Sequence, residues 1–291
     1  MTEHFPEIFG AKNSQVDARS TVVIRCILSM VAECEEITAF NPSLRIHNDV
    51  SEAFQYYLNK EPHDQWIRDA NRDKRRKVTF DYKREYTHPE RFCKQIFQDE
   101  AYVRYCVNAG SFMRRVFDIC SNMQSHDDAP DLYPFFTGQE LYDLWRIRNI
   151  DWYLDYSSGQ APHTQDNLLR NFLETADTIV GQKDFHGATL RFGHEVCVMP
   201  LAALMELGHC YPEVPVEHLD TLDRVWANYR IFPMASNIQL VFYRPKKGQG
   251  DILVKAMLNE REQSLPLQTT QYPYYRWDDV RVFFEKKLAK N

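Results

Sequence analysis

The sequence predicts an α/β protein: a three-layer α/β core with a mixed sheet, carrying a mostly helical cap inserted into it. Three observations lead there. Strand-like segments lie toward both ends of the chain, and a long aromatic-rich stretch of helical periodicity lies between them. In two places a short apolar strand runs directly into a helix. With 291 residues, 44% hydrophobic and 26% charged, the chain can form one large domain or two intimate ones. The core is expected to be discontinuous, 1–49 with 180–291, and the cap to run over 50–179.

Taken in order, Gln15 to Ala18 is short and extended in character. Ile24, Ile27, Leu28, Val31, Cys34 and Ile37 then recur at helical spacing. Ser20 or Thr21 offers an N-cap hydroxyl, and Asn41-Pro42-Ser43 supplies turn chemistry at the far end. Between Val50 and Thr178 amphipathic helices are expected at Gln95–Val107, Phe112–Ser121, Gly138–Trp152 and Asp166–Ile179. Ala188 to Phe192 reads as a buried strand, followed by a helix from Pro200 to Leu207 with Pro200 in its first turn and Gly208 as its C-terminal cap. Asn237–Tyr243 and Asp251–Leu258 flank a loose loop at the spacing of an antiparallel hairpin, and the last helix is expected over Trp277–Leu288.

Composition narrows the function. Ten glycines and 14 prolines exclude a collagenous or low-complexity polymer. The 41 acidic residues outnumber 35 basic ones, for a net charge of −6, which argues against a general nucleic-acid binder. No run of 18 apolar residues is present, so no transmembrane segment is expected, and the opening MTEHFPEIFG lacks the pattern of a secretion signal. Seven cysteines without a C-x-x-C pair fit neither a closed zinc site nor a full disulfide set. His186 and His194 are not at metal-ligand spacing, and neither a metal nor an organic cofactor is expected. The basic run from Arg68 to Lys77 contains Asp69 and Asp73 and reads as a solvated face. Lys246 to Asp251 reads as a hairpin turn rather than a phosphate loop, and Tyr272 to Tyr275 as packing.

Two places can carry chemistry. In Leu190-Arg191-Phe192-Gly193-His194-Glu195 an imidazole and a carboxylate stand where a strand gives way to a helix, the active edge of open α/β sheets; spacing alone equally fits a satisfied polar pair. Arg25 begins the first long helix just beyond a strand, where a guanidinium can grip a phosphate through two parallel hydrogen bonds. A salt-bridged or snorkelling helix side chain is the alternative. Arg19, just after Gln15 to Ala18, is a similar but weaker candidate.

Together, Arg25-Cys26-Ile27-Leu28-Ser29 and Phe192-Gly193-His194-Glu195 resemble the histidine acid phosphatase family, particularly the multiple inositol polyphosphate phosphatases and their bacterial relatives. The first stretch is similar to that family's Arg-x-x-x-Ser helix and the second to its late His-acid motif. Asn237 to Arg244, Val254 to Glu260 and Leu265-Pro266 resemble its closing strands, so the resemblance spans essentially the whole chain. It implies a phosphomonoesterase in which a neutral histidine attacks phosphorus, Arg25 and Arg19 hold the phosphoryl oxygens, His194 adds a donor, and Glu195 protonates the leaving alkoxide. Where other members carry His-Ala-Glu, that comparison would put Val196 at the donor position.

The family's nucleophile lies in an early Arg-His-Gly-x-Arg segment that these 291 residues do not contain; His4, His47 and His63 stand in other contexts. The chain therefore looks like a member that begins late. Its core is expected to be incomplete at the N-terminus, with an empty slot beside the converging Arg25 and His194, and the chain alone is expected to be inactive. A non-catalytic phosphate-binding member is the alternative. The expected partner is a phosphorylated small molecule, and the resemblance implies a periplasmic, secreted or secretory-pathway location.

Overall fold

The computed structural model describes residues 1–59, 72–123, 125–182, 185–246 and 250–289. Positions 68–71 of the basic run and 247–249 of the hairpin loop lie outside the described residues. The chain is α/β and divides into two compact units, 1–70 with 156–213 and 228–291, and 71–155 with 214–227. The helical unit is thus narrower than the 50–179 insertion and also takes in 214–227. The Asp166–Gly181 helix belongs to the strand-bearing unit.

In the strand-bearing unit, β1 (Gln15–Ser20) is central in a parallel three-stranded sheet, between β2 (Arg45–Val50) and β3 (Gly187–Phe192). Ser20 is level with both Val50 and Phe192, so the three C-terminal ends form one edge. Strand alternation sends Val16, Ala18, Ile46, Ala188, Leu190 and Phe192 to one face. There they pack with Phe9 and with Met30, Cys34 and Ile37 of the Ile24–Phe40 helix. The opposite face is polar. Asp17 forms ion pairs with Arg19 at 3.0 Å and with Arg191 at 3.1 Å and lies 3.2 Å from the His47 imidazole, so one carboxylate serves three neighbours across the sheet.

Parallel and antiparallel strands occupy separate sheets rather than one mixed sheet. β4 (Ile238–Tyr243) and β5 (Leu253–Leu258) form the expected antiparallel hairpin. The other edge of β5 pairs with β6 (Arg261–Gln263) and β7 (Tyr275–Arg276), so neither edge of β5 is left for the parallel strands. The final helix spans Trp277–Leu288.

Among the described strands the edges of the parallel sheet left unpaired are the outer ones of β2 and β3, not those of β1. β1 is hydrogen-bonded in continuous register to β3 on one side and β2 on the other, so no gap separates the strands leading to Arg25 and His194. β2 itself was not expected: Arg-Ile-His-Asn-Asp-Val is too polar to stand out, because it is an edge strand with largely exposed side chains.

Other departures have local causes. The Ile24–Phe40 helix starts after Val23 with no side-chain cap, because the Ser20 hydroxyl donates to the Thr21 carbonyl and the Thr21 hydroxyl faces His194. The helix expected from Pro200 begins at Glu195 and ends at Leu204, with Pro200 inside it. It closes through left-handed Glu206, with the Leu207 N–H donating to the Ala202 carbonyl, so Gly208 lies beyond the cap.

The helical unit is built from Arg72–Tyr86, Glu90–Ile96, Glu100–Cys106, Ala109–Met123 and Gly138–Trp152. The helix expected over Gln95–Val107 is two helices, because Asp99 caps the second by accepting from the Ala101 and Tyr102 N–H groups. Phe92, Cys93, Met113, Cys120, Phe136 and Leu144 form its core. Among the described residues no helix is long and apolar enough to cross a membrane.

Candidate functional site

Two strand-to-helix junctions meet at the C-terminal edge of the parallel sheet. β1 passes through Thr21 into the Ile24–Phe40 helix, and β3 passes through Gly193 and His194 into the Glu195–Leu204 helix. The Thr21 N–H donates to the Phe192 carbonyl at 3.3 Å, tying the junctions together. Gly193 allows the close approach behind them: a Cβ there would stand 2.8 Å from the Leu58 carbonyl oxygen, nearer than a side chain tolerates.

This convergence brings Arg25 and His194 into contact across most of the sequence. Arg25 Nη2 lies 2.9 Å from His194 Nδ1. A guanidinium can only donate, so Nδ1 accepts and the imidazole proton sits on Nε2, 3.4 Å from the Thr21 hydroxyl. Cys26 donates its thiol to the Gly193 carbonyl at 2.9 Å and lies 3.8 Å from both ring nitrogens. His194 is only 7% exposed and Thr21 is wholly buried, whereas Arg25 opens to solvent. Burial lowers the affinity of His194 for a proton and the Arg25 charge lowers it further, against the opposing pull of Glu195. The ring is therefore neutral at pH 7.

Arg25 pairs with no carboxylate among the described residues; its single side-chain partner is His194. Such a guanidinium keeps donors free for an incoming oxyanion. Glu195 is half-buried at the first position of its helix, directly after His194, where a carboxyl could reach a group held by Arg25. The structure brings Arg25 and His194 into contact, with Glu195 the next residue along the chain, and engages Arg19 elsewhere. Arg19 projects from the polar face of β1 to Asp17, with its guanidinium 5.4 Å from the Phe54 ring centre. Strand alternation is the reason, since residue 19 faces away from the Ile24–Phe40 helix.

Thr21 and Cys26 are parts of the site that sequence reasoning did not assign. Thr21 drew attention only as a capping hydroxyl, and Cys26 only as one of seven cysteines. A hydroxyl at a strand end four residues before the arginine was the one available signal. All seven cysteines are unbridged, and among the described residues no three His, Cys, Asp or Glu side chains converge as a metal site.

No family model matches the sequence, and no curated protein matches it. Solved structures do. The chain is similar to Bifidobacterium longum multiple inositol polyphosphate phosphatase in complex with inositol hexasulfate, with a TM-score of 0.73 and 14% identity over 97% of this chain and 74% of that one. It is also similar to the apo form of that protein, with a TM-score of 0.68 and 15% identity over 97% and 75% of the two chains. The class so defined is an α/β fold of the kind seen in that phosphatase, with an arginine and a histidine meeting at its sheet edge.

Proposed function

We propose that this chain seats the phosphate of a phosphorylated small molecule in the manner of a histidine acid phosphatase, with inositol polyphosphates as the substrate class. The observation that carries the reading is the Arg25–His194 contact at 2.9 Å, made by an arginine with no carboxylate partner among the described residues, at the edge where α/β folds bind ligands. Arg25 would bind two phosphoryl oxygens and stabilise the charge that spreads over them as the ester bond breaks. Glu195 would give its proton to the leaving alkoxide. The likeness to an inositol polyphosphate phosphatase supports the substrate class.

The sequence contains no Arg-His-Gly segment, so this chain by itself would bind the phosphate without forming a phosphohistidine. The second reading is a non-catalytic phosphate-binding protein: the Arg25–His194 contact forms without that segment, over strands paired directly to each other.

Chemical rescue separates the two. Added imidazole can attack p-nitrophenyl phosphate bound at Arg25, forming an N–P bond as the P–O bond breaks and p-nitrophenolate leaves. A site built for phosphoryl transfer should release p-nitrophenolate in proportion to imidazole, saturate in ester, and lose that release in Arg25→Met. Release no faster than with imidazole in buffer would establish the non-catalytic reading. Imidazole-independent turnover by the unmodified chain would overturn the proposal that it lacks a nucleophile.

A further inference from the structure

Three side chains contact the His194 ring, Thr21 from the end of β1 and Arg25 and Cys26 from the Ile24–Phe40 helix, while Glu195, the next residue, acts on it through its charge. Arg25 and Thr21 account for its two ring nitrogens. The Nε2 nitrogen turns inward, toward a threonine with no exposed surface, and Nδ1 turns outward, toward an exposed arginine. The Cys26 thiol is committed to the Gly193 carbonyl and holds the ring from its flank. In the free protein the site is therefore closed on itself: the lone pair of the imidazole is occupied by the guanidinium assigned to the anion.

We propose that Thr21 is a positioning residue that fixes His194 with its proton inward, and that an arriving tetrahedral dianion draws Arg25 off Nδ1, which then takes a proton from solvent and donates it to the anion. This rests on the reading that Arg25 and His194 seat a phosphate. The balance is simple: one N–H bond forms on Nδ1, one proton leaves solution, and no other covalent bond changes. With Arg25 moved onto the dianion, its charge no longer opposes protonation, and the anion favours the imidazolium. Anion affinity therefore rises as pH falls, and at neutral pH binding consumes up to one proton.

Inorganic sulfate is the probe, because unlike phosphate it does not titrate in this range. Calorimetry in two buffers of different ionisation heat gives the proton count, and 15N spectra of the His194 imidazole give its tautomer. In the free protein a single Nε2–H tautomer is expected, which becomes an imidazolium with sulfate. Thr21→Val should shift the Nε2–H resonance, whose inward acceptor is lost, and weaken sulfate about fivefold, the range of one hydrogen bond, and Thr21→Ser should restore both. An Nδ1–H tautomer in the free protein, or spectra unchanged by Thr21→Val, would overturn the positioning role. Sulfate binding with no proton uptake would overturn the exchange. Failure of sulfate to bind, with an Nε2–H tautomer still sensitive to Thr21, would refute the anion-seat reading and with it the exchange, while sustaining the positioning role.

Discussion

Gly193→Ala tests how closely the site depends on backbone approach. An added Cβ would lie 2.8 Å from the Leu58 carbonyl oxygen and 3.6 Å from its Cβ. Ordinary contact needs about 3.4 Å, so the two backbones must separate by about 0.6 Å. That oxygen is main chain and cannot swing aside as a side-chain tip would. Overpacking of this kind costs about 1–3 kcal/mol. Because His194 is the next residue, the same shift can stretch the 2.9 Å Arg25–His194 contact to about 3.5 Å, beyond useful hydrogen-bond length. Urea unfolding should show the destabilisation at unchanged m-value, and sulfate calorimetry should show an affinity loss of about tenfold. Gly138→Ala is the control, since a Cβ there meets nothing within 4 Å. If Gly193→Ala matched the unmodified chain in both assays, the close approach would have no bearing on the site.

Further predictions concern charge. His194 binds its proton less tightly in the folded protein than in the unfolded chain, where its pKa is about 6.5. The unfolded state therefore gains the proton first as pH falls, so this contribution to stability is full above about pH 6.5 and is lost below it. Urea midpoints measured between pH 8 and pH 5 should fall less steeply in His194→Asn than in the unmodified chain. Asp17→Asn should destabilise by about 2–4 kcal/mol, because it leaves the Arg191 side chain, 8% exposed, without its carboxylate. Arg191→Met added to Asp17→Asn should recover part of that loss, as read by thermal or urea unfolding.

Much of this was legible in the sequence. The strand-helix pattern of Gln15 to Ile37, the strand before His194, the hairpin and the last helix follow from spacing that tertiary contacts reinforce. Gly138–Trp152 was equally clear, helped by a Thr137–Glu140 capping box. β2 was hidden because an edge strand needs few apolar residues, and Pro200 drew the start of its helix five residues too late because proline usually marks a first turn. At the site, the meeting of Arg25 and His194 follows from their places at two strand-helix junctions. Arg19 is engaged by Asp17 on the polar face of β1, a pairing across alternate strand positions that spacing alone does not reveal. Thr21 could not be assigned from spacing, since its role depends on which ring nitrogen turns inward.

The most direct measurement of the shared anion seat is sulfate binding by calorimetry to the unmodified chain and to three variants. One saturable site should be lost in Arg25→Met and in His194→Asn, yet keep its affinity within about twofold in Arg19→Met, whose guanidinium is engaged by Asp17. Undiminished binding by Arg25→Met, or binding lost in Arg19→Met and retained in His194→Asn, would contradict it.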